Sequence, residues 1–70
     1  MQIRLTDMKL LADLLAFMRA SGCIAYYEAE ADSIEAVRPH AFGEKEAAEI
    51  EVLLERWSGE HPEAQPEILS

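Results

Sequence analysis

The apolar residues of this chain change their spacing twice within 70 positions. They recur at helical intervals from Met8 to Met18, alternate from Cys23 to Val37, and return to helical intervals from Ala47 to Trp57. Helices repeat about every 3.6 residues and strands every two, so the pattern predicts helices on either side of strands. We therefore expect a small α+β domain with its own core.

The first quarter of the chain predicts a short strand followed by a helix. Gln2 to Leu5 alternates polar and apolar residues, and Thr6 or Asp7 can accept hydrogen bonds from the first free amides of a helix. Gly22 ends that helix, because glycine readily adopts the left-handed conformation that closes a last turn. The predicted apolar stripe covers about half the helix circumference and comprises Met8, Leu10, Leu11, Leu14, Leu15, Phe17 and Met18.

The segment 23–38 fits two interpretations. As a hairpin it turns between Ala29 and Asp32, and alternate residues point to opposite faces of a sheet. One face then holds Cys23, Ala25, Tyr27, Ile34 and Ala36, and the other holds Ile24, Tyr26, Glu28 and Val37. As a helix, the same segment places Ile24, Tyr27, Ala31, Ile34 and Val37 on one side, and the chain becomes an all-α three-helix bundle. The hairpin is favoured by the Tyr26-Tyr27 pair, since aromatic residues suit strands.

The last helix is predicted from Glu44 to Ser58-Gly59, with Pro62 confirming the stop. Its narrow apolar stripe comprises Ala47, Ile50, Leu53, Leu54 and Trp57. After Pro66, the segment 67–69 is a candidate short edge strand. We expect one domain over residues 1–70, with its core in about 2–58 and a tail over 59–70.

In chain order the elements are strand, helix, strand, strand, helix and a candidate strand. This order gives the ferredoxin-like β-α-β-β-α-β sandwich, with both helices on one face of an antiparallel sheet. The chain resembles small ferredoxin-like domains at the level of fold. Through Gly22-Cys23, Trp57 and His61-Pro62 it is similar to short bacterial proteins of unassigned function, a resemblance that implies no activity.

The formal net charge of −8 is unevenly distributed. From residue 28 onward the chain holds twelve acids against three bases. Nucleic-acid binding needs clustered lysine and arginine, and an acidic surface repels both phosphate backbones and anionic lipid headgroups. We therefore expect no nucleic-acid or membrane partner. The partner that we expect is another protein or a second copy of this chain.

Cys23 is the only cysteine, so an internal disulfide is impossible and a reducing cytoplasm is the expected location. Ala20-Ser21-Gly22-Cys23 is loosely similar to a bacterial lipoprotein cleavage box. Asp13 interrupts the apolar stretch before it, and Arg19 lies close to the cleavage point, so an ordinary amphipathic helix is the preferred interpretation.

The residues that could carry chemistry are Cys23, His40 and His61. Catalysis requires a nucleophile, a base and an orienting group in one place, and their spacing indicates no such arrangement. The spacing also lacks the close ligand pairs of a zinc signature and the glycine-rich loop of a phosphate site. We therefore expect no cofactor and no metal, and we expect a protein that is not an enzyme.

The strongest functional indication is an apolar surface. If the hairpin forms, Ile24, Tyr26 and Val37 lie on the sheet face that no helix covers, where a contiguous apolar patch marks an interaction site. Trp57 packs in the core by default, with an aromatic anchor at an interface as the alternative. The sequence thus predicts a non-catalytic interaction or regulatory module that dimerises through its open sheet face. A small-molecule sensor, a small enzyme and an acidic nucleic-acid mimic are the alternatives.

Overall fold

Two helices cover a four-stranded antiparallel sheet in the computed structural model, which describes residues 1–69. A short 3-10 turn, Met8–Leu10, precedes the first helix. The helices are α1 (Leu11–Ala20) and α2 (Glu44–Glu60). The strands are β1 (Gln2–Arg4), β2 (Ile24–Glu28), β3 (Ser33–Val37) and β4 (Glu67–Ile68).

The strand order in the sheet is β2-β3-β1-β4, and every neighbouring pair is antiparallel. Each helix therefore joins two strands that are separated by a third, which is the split connection of the β-α-β-β-α-β plan. The predicted α+β class and the edge strand after Pro66 are confirmed. The hairpin is confirmed as well, so the three-helix alternative is wrong.

The core lies between the helices and one face of the sheet. Alternate strand residues point into it, and α1 and α2 supply the opposing side chains. The fully buried large side chains are Ile3, Leu14, Met18, Ile34, Ile50 and Trp57. Burial of each such side chain contributes about 1.5–3 kcal/mol to folding.

The first helix begins later and buries less than its stripe predicts. Asp7 caps the 3-10 turn by accepting a hydrogen bond from the Lys9 amide at 3.0 Å. Within α1 only Leu14 and Met18 are buried. Met8 is exposed, because it precedes α1 in the 3-10 turn. Gly22 closes α1 with a φ of 90°, as predicted.

The second helix continues through Gly59 to Glu60, so the prediction that Ser58-Gly59 stops it is wrong. It ends at the residue before His61-Pro62, since a residue that precedes proline is disfavoured in the helical conformation. The His61 amide donates to the Ser58 carbonyl at 3.1 Å. The core also extends beyond residue 58, because Ala64 is buried in it.

Candidate interaction site

The sheet face without helices exposes apolar side chains at one end. We call this surface the open face and define it by the outward-pointing residues Gln2, Arg4, Ile24, Tyr26, Glu28, Glu35, Val37 and Glu67. Ile24 and Tyr26 retain 54% and 45% of their accessible surface. Val37 is half-buried and lies directly opposite Ile24. The three predicted sheet residues therefore form one apolar patch across β2 and β3.

The charges of the open face nearly balance. Arg4 and the Met1 amino group oppose three carboxylates, those of Glu28, Glu35 and Glu67. The Met1 nitrogen lies 3.3 Å from Glu35 Oε1 and donates to the Ala36 carbonyl at 3.0 Å. The carboxylate nearest Tyr26 in the sheet is therefore neutralised within the same chain.

The β2–β3 turn fixes the register that presents this patch. Tyr27 donates its hydroxyl hydrogen to Asp32 Oδ1 at 2.5 Å, and Asp32 adopts a left-handed φ of 49° that aspartate tolerates in turns. That hydrogen bond to Asp32 raises the pKa of Tyr27, since the carboxylate binds the protonated phenol. A slip by one residue would move Ile24 and Tyr26 to the core side, so the turn determines what the open face displays.

The outer edge of β2, which has no neighbouring strand within residues 1–69, is partly protected from pairing with strands of other molecules. Arg19 of α1 donates from Nε to the Ala25 carbonyl at 3.0 Å. Charged side chains near an edge strand discourage pairing with strands of other molecules. Pairing of the β2 edge with a strand of another molecule is therefore disfavoured.

Trp57 lies in the core and contributes nothing to the open face. Its ring stacks on His61 with centroids 4.4 Å apart. Among residues 1–69, its indole nitrogen is the buried side-chain nitrogen that lacks a hydrogen-bond partner. The structure thus supports the core interpretation of Trp57, and the anchor alternative is not supported.

His61 joins the end of α2 to α1. Its Nδ1 lies 3.0 Å from the Trp57 carbonyl oxygen, and its Nε2 lies 2.9 Å from Asp13 Oδ2. Both ring nitrogens face acceptors, so the doubly protonated ring satisfies both contacts. The Trp57 carbonyl has the largest effect and raises the pKa of His61. Desolvation comes next and lowers it, and Asp13 and then Glu60 raise it, so that the pKa is raised overall.

Cys23 is buried beside the Arg38 guanidinium, and no hydrogen bond within residues 1–69 joins it to a histidine or carboxylate that could act as a general base. The Arg38 guanidinium lies 3.8 Å from Cys23 Sγ, donates to the Ser21 carbonyl, and donates from Nε to Glu49 Oε1 at 2.9 Å. Glu49, and then Cys23, raise the pKa of Arg38. Arg38 thus connects the end of β3 to the α1–β2 turn and to α2, which is a structural role.

His40 is exposed in the loop after β3, beside the Arg38 side chain and Glu49. Within the described residues no hydrogen bond joins any two of Cys23, His40 and His61. Over the same part of the chain, no three His, Cys, Asp or Glu side chains are placed to share a metal ion. The candidate chemical residues are therefore dispersed.

The structure has a second exposed apolar surface, which the sequence did not predict. Val52 of α2 and Ile68 of β4 are 52% and 38% exposed and line one cleft. Val52 lies outside the apolar stripe of α2, and an apolar residue on the polar side of a helix is the signal that could have indicated this surface. Phe42, in the loop before α2, is also exposed.

No helix within residues 1–69 has the length and apolar character needed to cross a membrane. The chain matches no protein-family model, no curated protein and no solved structure.

Proposed function

We propose that this protein is a cytoplasmic, ferredoxin-like, non-catalytic interaction module that forms a homodimer through its open face. The observation that carries the proposal is the exposed patch of Ile24 and Tyr26, with Val37 opposite, on a sheet face that no helix covers. A cytoplasmic location is consistent with Cys23, a lone free cysteine buried in the fold.

Two-fold symmetry explains why a second copy suits this patch. In a closed two-fold dimer the same surface meets itself, so the apolar patch of one copy covers the apolar patch of the other. The open face also carries both signs of charge, in Arg4 and in Glu28 and Glu67. Opposite charges can therefore pair beside the apolar patch.

The charge distribution favours the open face over the helix side for self-association. The segment 44–60, which forms α2, holds six acidic residues against Lys45 and Arg56, whereas the open face is nearly balanced. Two copies that met through α2 would repel each other, and two that met through the open face would experience little repulsion. The Met1 amino group, which pairs with Glu35, is part of that balance.

The proposal is tested by light scattering coupled to size-exclusion chromatography over a wide range of protein concentration. We expect the wild-type protein to show twice the 7.9 kDa chain mass. Tyr26→Glu should give the monomer mass while circular dichroism stays unchanged, because the side chain is exposed in the monomer.

Met8→Glu is the matched control. Met8 is 47% exposed, close to the 45% of Tyr26, and lies in the 3-10 turn outside the sheet. It should leave the dimer intact. A wild-type monomer at every concentration, or equal loss of the dimer in both variants, would contradict the proposal.

A further inference from the structure

The cleft between α2 and β4 lies where the sheet ends and the helix layer continues. Its apolar lining comes from Val52 and Leu54 of α2, with Pro66 and Ile68 from the last part of the chain. Ile68 lies opposite Ile3 in the sheet, so its side chain points toward the helix layer. It is partly exposed because β4 is the outermost strand on that side. One more strand would cover it.

The backbone of β4 is oriented to accept such a strand. Arg4 pairs with Glu67, and the Leu69 amide donates to the Gln2 carbonyl at 2.8 Å. Residues in an antiparallel strand alternate in the direction of their N–H and C=O groups. Because Leu69 directs its amide toward β1, the amide and carbonyl of Ile68 point away from the sheet.

The rim of the cleft is acidic. Glu51 and Glu55 both line it, and they lie four residues apart on the same side of α2. Both are exposed, next to Val52 and across from Ile68. A bound segment would therefore meet two carboxylates along the α2 wall of the cleft, beside the apolar lining.

We propose that this cleft binds a basic, extended segment of a partner protein, which pairs antiparallel with β4. An apolar residue of that segment lies opposite Ile68 and fills the space beside Val52. Basic residues two positions before and after it point to the same side and contact Glu51 and Glu55. Backbone pairing supplies affinity, and the charges select the partner, as in other cases of strand addition.

The probe is a capped peptide of sequence Lys-Thr-Val-Thr-Lys, titrated into the ¹⁵N-labelled 70-residue chain and followed by NMR. We expect saturable shifts at the amides of Val52 and Ile68, with none at Ile24 and Tyr26. Glu51→Gln combined with Glu55→Gln should weaken binding by about three- to tenfold, with a smaller loss at high salt.

Three controls separate this binding from a general attraction to an acidic protein. Glu30→Gln combined with Glu44→Gln removes the same charge from exposed positions outside the cleft and should change affinity less than twofold, because neither side chain lines the cleft and salt screens distant charges. The peptide Glu-Thr-Val-Thr-Glu should not bind. A peptide with N-methylvaline at its centre should bind more weakly, because it lacks the amide hydrogen that faces Ile68.

Equal losses in the two double variants would overturn the proposal, as would equal binding of the acidic peptide or of the N-methylated peptide. Absence of saturable shifts at millimolar peptide would overturn it too. The open-face dimer does not enter this test, because its residues lie on the opposite side of the sheet.

Discussion

The two faces of the sheet are built from the same strands but differ in what they bury. Ile34 of β3 points toward the helices and is fully buried, whereas Ile24 of β2 points to the open face and is more than half exposed. Alternation along each strand places one set of residues in the core and leaves the other set at the surface. The covered face therefore stabilises the monomer, and the open face leaves apolar side chains in solvent, where we propose that a second copy binds.

The difference between the two faces is tested most directly by making the same truncation on each face. Ile34→Ala should lower the free energy of unfolding by about 2–5 kcal/mol, because it leaves a cavity in the core. Ile24→Ala should lower it by less than about 0.5 kcal/mol in dilute, monomeric protein, because more than half of its side chain is already exposed to water. Urea denaturation at low protein concentration measures both.

At high protein concentration the quantity to compare is the effect of each variant on dimer formation, and there Ile24→Ala should have the larger effect. Ile24→Ala should then weaken association, whereas Ile34→Ala should not do so beyond its effect on folding. Equal destabilisation of the monomer by the two variants would show that the two faces do not differ in the way described.

A smaller effect is expected at the turn that leads from α1 into the sheet. Gly22 has a φ of 90°, and a Cβ placed there lies 3.3 Å from the Arg38 guanidinium. Gly22→Ala should cost about 1–2 kcal/mol for the left-handed backbone alone. Thermal denaturation of this variant tests the position, with Gly59→Ala as the control in open space within α2. An unchanged melting temperature for Gly22→Ala would contradict the prediction.

The contacts of His61 with the Trp57 carbonyl and with Asp13 predict a pH dependence of stability that is confined to the helix layer. The pKa of His61 is raised in the folded protein, so its stabilisation is fully present below its unfolded pKa of about 6.5. That stabilisation is lost as the pH rises through the folded pKa. The stability difference between wild type and His61→Gln should therefore shrink from pH 6 to pH 8.

His40→Gln serves as the control, and its stability difference from wild type should not follow this trend. The dimer mass should also stay constant over this range, because His61 lies outside the open face. If the stability difference between wild type and His61→Gln grew with pH, it would contradict the contacts assigned to His61.

The smallest effect is expected at the edge of β2. Arg19→Ala removes the donor to the Ala25 carbonyl, and we expect a loss of less than about 1 kcal/mol in the free energy of unfolding. The exposed edge should also promote slow aggregation at high concentration. Light scattering over time measures this, with Arg56→Ala of α2 as the control. Equal aggregation of both variants would show that Arg19 does not protect the edge.

The sequence predicted the elements whose patterns are local. The segment between Cys23 and Val37 also fitted a helix, and the Tyr26-Tyr27 pair favoured the hairpin, which assigns Ile24 and Tyr26 to the open face. Termination of α1 at Gly22 followed from the backbone preference of a single residue. The prediction that Thr6 or Asp7 caps a helix was met only in part, because Asp7 caps the 3-10 turn and α1 itself has no side-chain cap.

The features that were missed depend on contacts between distant parts of the chain. His61 contacts Asp13, 48 positions away, and no local pattern indicates that pair. The cleft at Val52 exists only because β4 is an edge strand beside α2. The contacts of Arg38 with Cys23 and Glu49 likewise join parts of the chain that no local pattern connects.

Use of the open face for self-association is tested most directly by a dilution series of ¹⁵N-labelled protein followed by NMR. We predict that the amide shifts of Ile24, Tyr26 and Val37 move together as the concentration falls, while those of Leu14 and Ile50 in the core stay constant. Shifts that are independent of concentration, or that change only along α2, would contradict the proposed dimer.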